Sequence, residues 1–156
     1  MKKDKVLQLY DLYAENVYRL AYSYTGSAAD AQDIVQNVFL KLLQKNIKIS
    51  EDKEKAYLMQ MVVNACRDHL RAASIRKNVP YEEYLASERD NLPGEESDLL
   101  HSLSLLPDNY RAVIHLHYYE GYTLKEISEI LKLSVSAVSM RLTRGREMLK
   151  ELMKED

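Results

Sequence analysis

The sequence predicts an all-α protein of two small helical bundles joined by an acidic linker. Apolar residues recur at steps of three and four along most of the chain, which is the period of an amphipathic helix. Only four Gly and three Pro occur among 156 residues, so few positions interrupt helices. The stretch 81–97 lacks this period, contains a Pro-Gly pair and is rich in acidic residues, which is typical of a linker.

The first predicted unit, residues 1–80, begins with two helices. The first has its apolar residues at helical spacing over 6–24 and ends at Gly26, since glycine favours the left-handed C-cap. Ser27 is the expected N-cap of the second, with Asp30 in its first turn. The buried stripe of that helix runs over 31–42.

A third, long helix is predicted over about 53–75, after the polar stretch 44–55, and Pro80 ends the unit. One side of this helix is basic and has an aromatic residue near its start, a combination that suits nucleic acid. In the second helix Asp33, Gln36 and Asn37 point outward, and by pattern alone they form an ordinary solvated face.

The second predicted unit, residues 98–156, starts with a leucine stripe that Pro107 interrupts. The next apolar stripe has Gly121 as its expected C-cap. Thr123 and Glu126 then form a predicted capping box, and Ser134 is the N-cap of a last helix after a tight turn. Two short amphipathic helices that meet at such a turn are typical of a helix-turn-helix DNA reader.

The last helix has a packed side and an exposed side. Its exposed side carries small, polar and basic residues, which let a helix enter the major groove and let Arg reach base edges. Gly145 falls on the packed side, where a mid-helix glycine costs roughly 1 kcal/mol relative to Ala unless close packing requires it.

Charge is unevenly distributed along the chain. The formal net charge is −2, yet residues 81–100 alone carry −6 and residues 56–80 carry +3. The predicted DNA-facing segments are therefore neutral to basic, and the acidity lies in the linker.

Several functional classes are disfavoured by composition. No apolar run approaches the length of a membrane span, and one cysteine, Cys66, supports no disulfide framework or cysteine metal cluster, so it is expected to be a buried small apolar residue. His115 and His117 are two residues apart and do not face each other on a helix. We therefore expect a soluble cytoplasmic protein that is not an enzyme, with no cofactor, no metal and no membrane insertion.

Three segments together resemble the extracytoplasmic-function sigma factors of bacterial RNA polymerase. "DAQDIVQNVFLKL" is similar to the helix by which that family binds core polymerase, and "AYLMQMVVNACRDHLR" to its promoter −10 segment. The stretch from "LPDNYRAV" to "TRGREML" is similar to its −35 reading domain. The motifs occur in the family's order and cover almost the whole chain.

The resemblance implies roles for individual residues. Polymerase binding is expected for Asp33, Gln36, Asn37 and Phe39. Contact with the −10 element is expected for Tyr57, Asn64, Arg67, Arg71 and Arg76, beside the base-capturing loop 46–55. Contact with the −35 element is expected for Ser136, Ser139, Met140, Arg141, Thr143, Arg144 and Arg146, with Arg141 and Arg146 on phosphates.

The resemblance also implies partners. These are the clamp helices of the largest subunit of core polymerase, the flap of the second-largest subunit, promoter DNA and possible anti-sigma factors. The free protein is expected to be a monomer whose acidic linker threads a polymerase channel. Tyr57 stands where many members have Trp, and Gly145 where Ala is usual.

Two other functions are consistent with parts of the pattern. A stand-alone helix-turn-helix regulator would use the N-terminal bundle to dimerise or to bind a ligand, and would bind palindromic DNA without polymerase. If the chain were a module that binds only protein, replacing Arg144 with Ala would have no effect on transcription.

Overall fold

Every regular element that the computed structural model describes, over residues 1–78, 80 and 95–154, is a helix, which confirms the predicted class. The α-helices are α1 (Lys3–Thr25), α2 (Ala28–Gln44), α3 (Glu54–Arg76), α4 (Glu95–Ser104), α5 (Asp108–Ile114), α6 (Leu124–Leu131) and α7 (Val135–Lys154). A 3-10 turn, Glu51–Lys53, precedes α3, and a π-helical turn, His115–Tyr119, follows α5. Most of the expected linker 81–97 lies outside the described residues, and α4 begins inside its last part.

The connection between α1 and α2 follows the predicted capping. Gly26 has φ 66 and its N–H donates to the carbonyl of Tyr22, which ends α1. Ser27 Oγ then accepts the N–H of Asp30 at 3.3 Å and starts α2. Because the chain reverses within these residues, α2 packs directly against α1.

The N-terminal bundle consists of α1, α2 and α3. Its core is formed by side chains with almost no exposed surface, which include Leu9, Leu20, Ile34, Leu42, Leu58 and Leu70. An ion pair of 2.6 Å between Lys5 and Glu54 joins the start of α1 to the start of α3. Cys66 lies in this core, and burial raises the pKa of its thiol, so it stays protonated as a small apolar residue.

The C-terminal bundle consists of α4 to α7. The sequence pattern indicated one helix up to Gly121, but α5 ends at Ile114. A wider π-helical turn follows, in which the N–H of Glu120 donates to the carbonyl of His115. Gly145 is buried where α7 crosses α5, and a Cβ there would lie 2.6 Å from Ile114 Cδ1. The glycine therefore allows a close approach of α7 to Ile114, and a larger residue would require the Ile114 side chain to shift.

The two bundles pack against each other, which periodicity did not predict. α1 contacts α4 and α5, and α3 contacts α6; we call this contact the interdomain seam. The last turns of α1, residues 20–25, are buried on every side because one side faces its own bundle and the other faces α5. Buried residues of both bundles form one continuous core.

Candidate DNA and polymerase surfaces

The turn between α6 and α7 is set by side-chain caps. Thr123 Oγ1 accepts the N–H of Glu126 at 3.2 Å, and Glu126 Oε1 accepts the N–H of Thr123 at 3.0 Å, which is the predicted capping box. Lys132 ends α6 in the left-handed conformation with φ 57. Ser134 Oγ accepts the N–H of Ala137 at 3.1 Å and starts α7. These bonds fix the orientation of α7 relative to α6.

α7 has the two sides expected of a recognition helix. Val138, Leu142 and Gly145 are buried. The predicted DNA-contacting residues are exposed or, for Arg141, half-buried: Ser136, Ser139, Met140, Arg141, Thr143, Arg144 and Arg146. Positions 136, 139, 140, 143 and 144 share one helix face by their spacing. The structure therefore brings small polar residues and Arg144 together on one surface.

Two side chains of this set already have partners within the domain. Arg146 Nη1 donates to the hydroxyl of Tyr118 at 3.1 Å, which turns it toward the flank of α7. Thr143 Oγ1 donates to the carbonyl of Ser139 at 3.1 Å. Arg146 thus lies on the flank of α7, and Thr143 presents its methyl group and an acceptor lone pair.

Most of the predicted −10 residues share one side of α3. Tyr57, Asn64 and Arg71 follow at steps of seven, which places them in one stripe, and Arg67 lies beside it. Tyr57 and Arg67 are half-buried, whereas Asn64 and Arg71 are exposed. Arg76 is exposed near the end of α3, about 140° around the helix from Arg71. The structure does not place Arg76 on the same stripe.

A lysine orients the aromatic residue of this stripe. Lys45 Nζ donates to the hydroxyl of Tyr57 at 3.0 Å and lies 5.5 Å from the ring centroid. Beside it, the segment that follows α2 borders a cleft of about 630 Å³. The cleft is lined by basic and apolar side chains, among them Lys2, Lys5, Lys45, Lys48, Ile47 and Ile49. Its chemistry suits an anionic group next to an apolar face.

The outward face of α2 contains the predicted polymerase residues. Asp33, Gln36 and Asn37 are exposed. Phe39 is only 6% exposed and makes an edge-on contact with Tyr10, with ring centroids 5.0 Å apart, so it supports the face from inside.

Comparison with known proteins identifies the family. The family model of sigma-70 region 2 matches residues 9–75, and that of sigma-70 region 4 matches residues 97–149. The ECF RNA polymerase sigma factor SigW of Bacillus subtilis is 30% identical, and the alignment covers 98% of this chain and 91% of SigW. The chain belongs to the extracytoplasmic-function sigma factors. This sigma factor is therefore a promoter-selecting initiation factor of bacterial RNA polymerase, from a family that is not enzymatic.

Other relatives of this sigma factor agree. SigE of Mycolicibacterium smegmatis is 28% identical over 89% of this chain, which spans 58% of the length of SigE. A solved structure of the sigma factor RpoE in complex with the anti-sigma factor NepR from Bartonella quintana has a TM-score of 0.79, with 20% identity and 99% of each chain covered. CnrH in complex with the cytosolic domain of CnrY has a TM-score of 0.71, with 24% identity, covering 99% of this chain and 91% of CnrH. Both structures share the fold.

Sequence reasoning missed several residues of this sigma factor. Leu40 is 54% exposed one turn after Gln36 and extends the α2 face with apolar surface. Arg111 and His115 are fully buried polar residues at the interdomain seam, and Glu120 lies beside them. The sequence signal that could have indicated the burial of Arg111 was its position within an apolar stripe. Within the described ranges, no helix combines the length and apolar character that a membrane crossing needs.

Proposed function

We propose that residues 1–80 bind core polymerase and the −10 element, that residues 98–156 bind the −35 element, and that residues 81–97 connect them. The observation that carries this proposal is the exposed stripe of α7, which displays Ser139, Met140 and Arg144 opposite a buried side in a helix-turn-helix. Arg144 supplies the bidentate donor for a guanine edge, and Arg141 and Arg146 flank it for phosphates.

The −10 side works on a separated strand. Unstacking a base costs a few kcal/mol, and stacking on an aromatic ring returns about 1–3 kcal/mol per base. Tyr57 provides the ring, Lys45 fixes its orientation, and Asn64, Arg67 and Arg71 lie along the same side for base and backbone contacts. Arg76 contacts the DNA backbone further along the strand.

Two surfaces are assigned to polymerase. Asp33, Gln36, Asn37 and exposed Leu40 bind the clamp helices of the largest subunit, with Phe39 behind them. A groove of about 570 Å³ between α4, α5 and α7 receives the flap of the second-largest subunit. The groove is mainly apolar and is lined by residues that include Leu99, Leu103, Ile114, Tyr118, Leu149 and Met153.

The remaining assignments follow from this role. The protein acts in the cytoplasm, where RNA polymerase is, as a monomer when free, and performs no catalysis itself. The acidic segment 81–97 lies in a basic channel of polymerase, where its charge is complementary. An anti-sigma factor is a candidate regulator, since the RpoE neighbour was solved in complex with one.

Run-off transcription tests the function. Purified protein and bacterial core polymerase are incubated with a fragmented genomic library from the source organism, and core alone is the control. New start sites that depend on the protein, with shared −10 and −35 sequences, are expected. Dimeric binding to a palindrome without polymerase, together with no initiation, would instead establish the stand-alone regulator.

The polymerase surface is tested in the same system. The double variant Asp33→Ala, Gln36→Ala should co-purify less with core polymerase while its helical circular dichroism is unchanged, because both side chains are exposed. The matched control is Asp11→Ala, which removes an exposed carboxylate from α1. Equal co-purification of both variants would remove this face from the interface.

A further inference from the structure

The segment around the π-helical turn contacts α7 at two consecutive residues. Ile114, at the end of α5, lies against Gly145. Tyr118, four positions later and within the π-helical turn, reaches Arg146, the next residue of α7. Because Gly145 has no Cβ, α7 can lie close to Ile114, and this approach brings Arg146 within reach of Tyr118.

The ring of Tyr118 is held in place although the residue is 52% exposed. The His117 ring contacts it edge-on, with ring centroids 4.9 Å apart and 78° between the ring planes. His117 in turn donates from Nδ1 to the carbonyl of Tyr122 at 2.9 Å. These contacts limit the positions of the Tyr118 ring, so its hydroxyl has a defined place beside α7.

The Tyr118 hydroxyl selects one orientation of an exposed arginine. Arg146 Nη1 donates to this hydroxyl at 3.1 Å. A free arginine side chain has many rotamers, and a bond that selects one of them lowers the entropy that is lost when the side chain binds a ligand. The hydroxyl accepts from one of the five N–H groups of the guanidinium, and the others can donate to a phosphate.

Arg146 borders the predicted reading stripe of α7. It follows Thr143 by three positions and Ser139 by seven, so it lies beside both on the helix. When such a stripe enters the major groove, an arginine at its border is next to the sugar-phosphate backbone. The orientation of Arg146 therefore bears on affinity for DNA and not on the choice of base.

We propose that Tyr118 is a positioning residue for the −35 element, and that its hydroxyl holds Arg146 in the rotamer that binds a DNA phosphate. Tyr118 acts through Arg146 and adds a residue outside the helix-turn-helix to those that determine −35 affinity. This inference rests on the proposed function of α7.

Tyr118 and Arg146 also line the apolar groove between α4, α5 and α7. A loss of promoter binding could therefore arise from the groove instead of from the phosphate contact. Holoenzyme is assembled with the sigma factor in excess over core polymerase, so that weaker binding to core does not lower the holoenzyme concentration. The remaining difference between the two causes is whether the effect of Tyr118 depends on Arg146.

Tyr118→Phe tests the positioning, because it keeps the ring and removes only the hydroxyl. Fluorescence anisotropy of holoenzyme with a promoter fragment found by run-off transcription should show roughly threefold weaker binding, by the same factor on fragments with altered −35 bases. Arg146→Ala should weaken binding roughly tenfold and reduce the slope of log affinity against log salt by about one.

In the Arg146→Ala background, Tyr118→Phe should add no further loss. Tyr13→Phe is the matched control, since it removes the hydroxyl of a half-buried tyrosine of α1, and it should bind as wild type does. Helical circular dichroism should be the same for all variants.

Unchanged binding by Tyr118→Phe overturns the inference. Tighter binding also overturns it, since the hydroxyl would then hold Arg146 away from DNA. A loss that persists in the Arg146→Ala background assigns Tyr118 to the groove and rejects positioning. If Arg146→Ala binds like wild type with an unchanged salt slope, Arg146 binds no phosphate and Tyr118 has nothing to position. Failure of the wild type to direct any initiation is a different result, because it removes the proposed function and this inference with it.

Discussion

The −35 and −10 surfaces differ in what covers them. On α7 the reading stripe faces solvent, and Met140 at its centre is 52% exposed. On α3, Tyr57 is half-buried at a cleft whose opposite wall is α6. In the proposed function the −35 element is read as a duplex, whereas a −10 base leaves the stack and binds Tyr57. The comparison indicates that a separated base would reach Tyr57 through a cleft, whereas a duplex would meet α7 on an open surface.

The largest expected effect is the loss of base preference at the −35 element when Arg144 is replaced. Arg144→Ala should cost about 1–3 kcal/mol at one −35 base pair and relax the preference there, because an exposed Arg on the stripe is lost. Transcription from a promoter library randomised at the −35 element measures this. Arg146→Ala is the comparison variant and should weaken all sequences alike, since Arg146 is turned toward Tyr118. An unchanged preference for Arg144→Ala would exclude it from base reading.

A smaller effect is expected on the −10 side. Tyr57→Ala should weaken binding of a −10 single strand by about 1–2 kcal/mol, as stacking is lost. Tyr57→Phe keeps the ring and removes only the hydrogen bond with Lys45, so it should cost under about 1 kcal/mol. Anisotropy with the −10 oligonucleotide separates the two. Equal losses in both variants would show that the hydroxyl, rather than the ring, binds the strand.

The smallest effect is a pH dependence of stability that arises at the interdomain seam. Burial in the seam lowers the pKa of His115, which faces Ser23 and Arg19 of α1 and Glu120 of its own segment, with Lys55 of α3 beyond. As pH falls through about 6.5, His115 takes up a proton in the unfolded chain before it does in the folded protein, so its contribution to stability is fully present above that pH and weakens below it. Glu120, with a pKa of about 2, stays ionised throughout.

The free energy of unfolding should therefore fall by up to about 1.4 kcal/mol between about pH 7.5 and about pH 5.5. Chemical denaturation across this range measures the change. His115→Gln removes the titrating group and should flatten the profile. Identical profiles for wild type and His115→Gln would show that another group causes the pH dependence.

Local signals in the sequence predicted the local structure. The capping box at Thr123 and Glu126, the left-handed Gly26 and the N-cap Ser134 were all confirmed, because each depends on residues within three or four positions. The π-helical turn was not predicted, because the apolar residues around it have the spacing of an ordinary α-helix. The residues assigned to DNA and polymerase stay predictions; most of them are exposed, Tyr57, Arg67 and Arg141 are half-buried, and Phe39 is buried.

The interdomain seam could not be predicted from the same signals. Asn16 and Glu120 are 104 residues apart, and each reads as a solvated polar residue beside an apolar stripe. Ser23 and Thr25 at the end of α1 also look like surface, yet both are buried. Contacts between two residues of different bundles depend on how the bundles are placed relative to each other. The spacing of apolar residues within either bundle does not indicate such contacts.

Gly145 sets how closely the last helix approaches the rest of the C-terminal bundle. A methyl group there would lie 2.6 Å from Ile114 Cδ1 and 3.4 Å from Tyr110 Cβ. Either the Ile114 side chain or α7 itself would have to move, and a tilt of α7 would reach Ser136, nine residues away and about 14 Å along the helix. A position on the packed side of α7 thus bears on the direction of its exposed side.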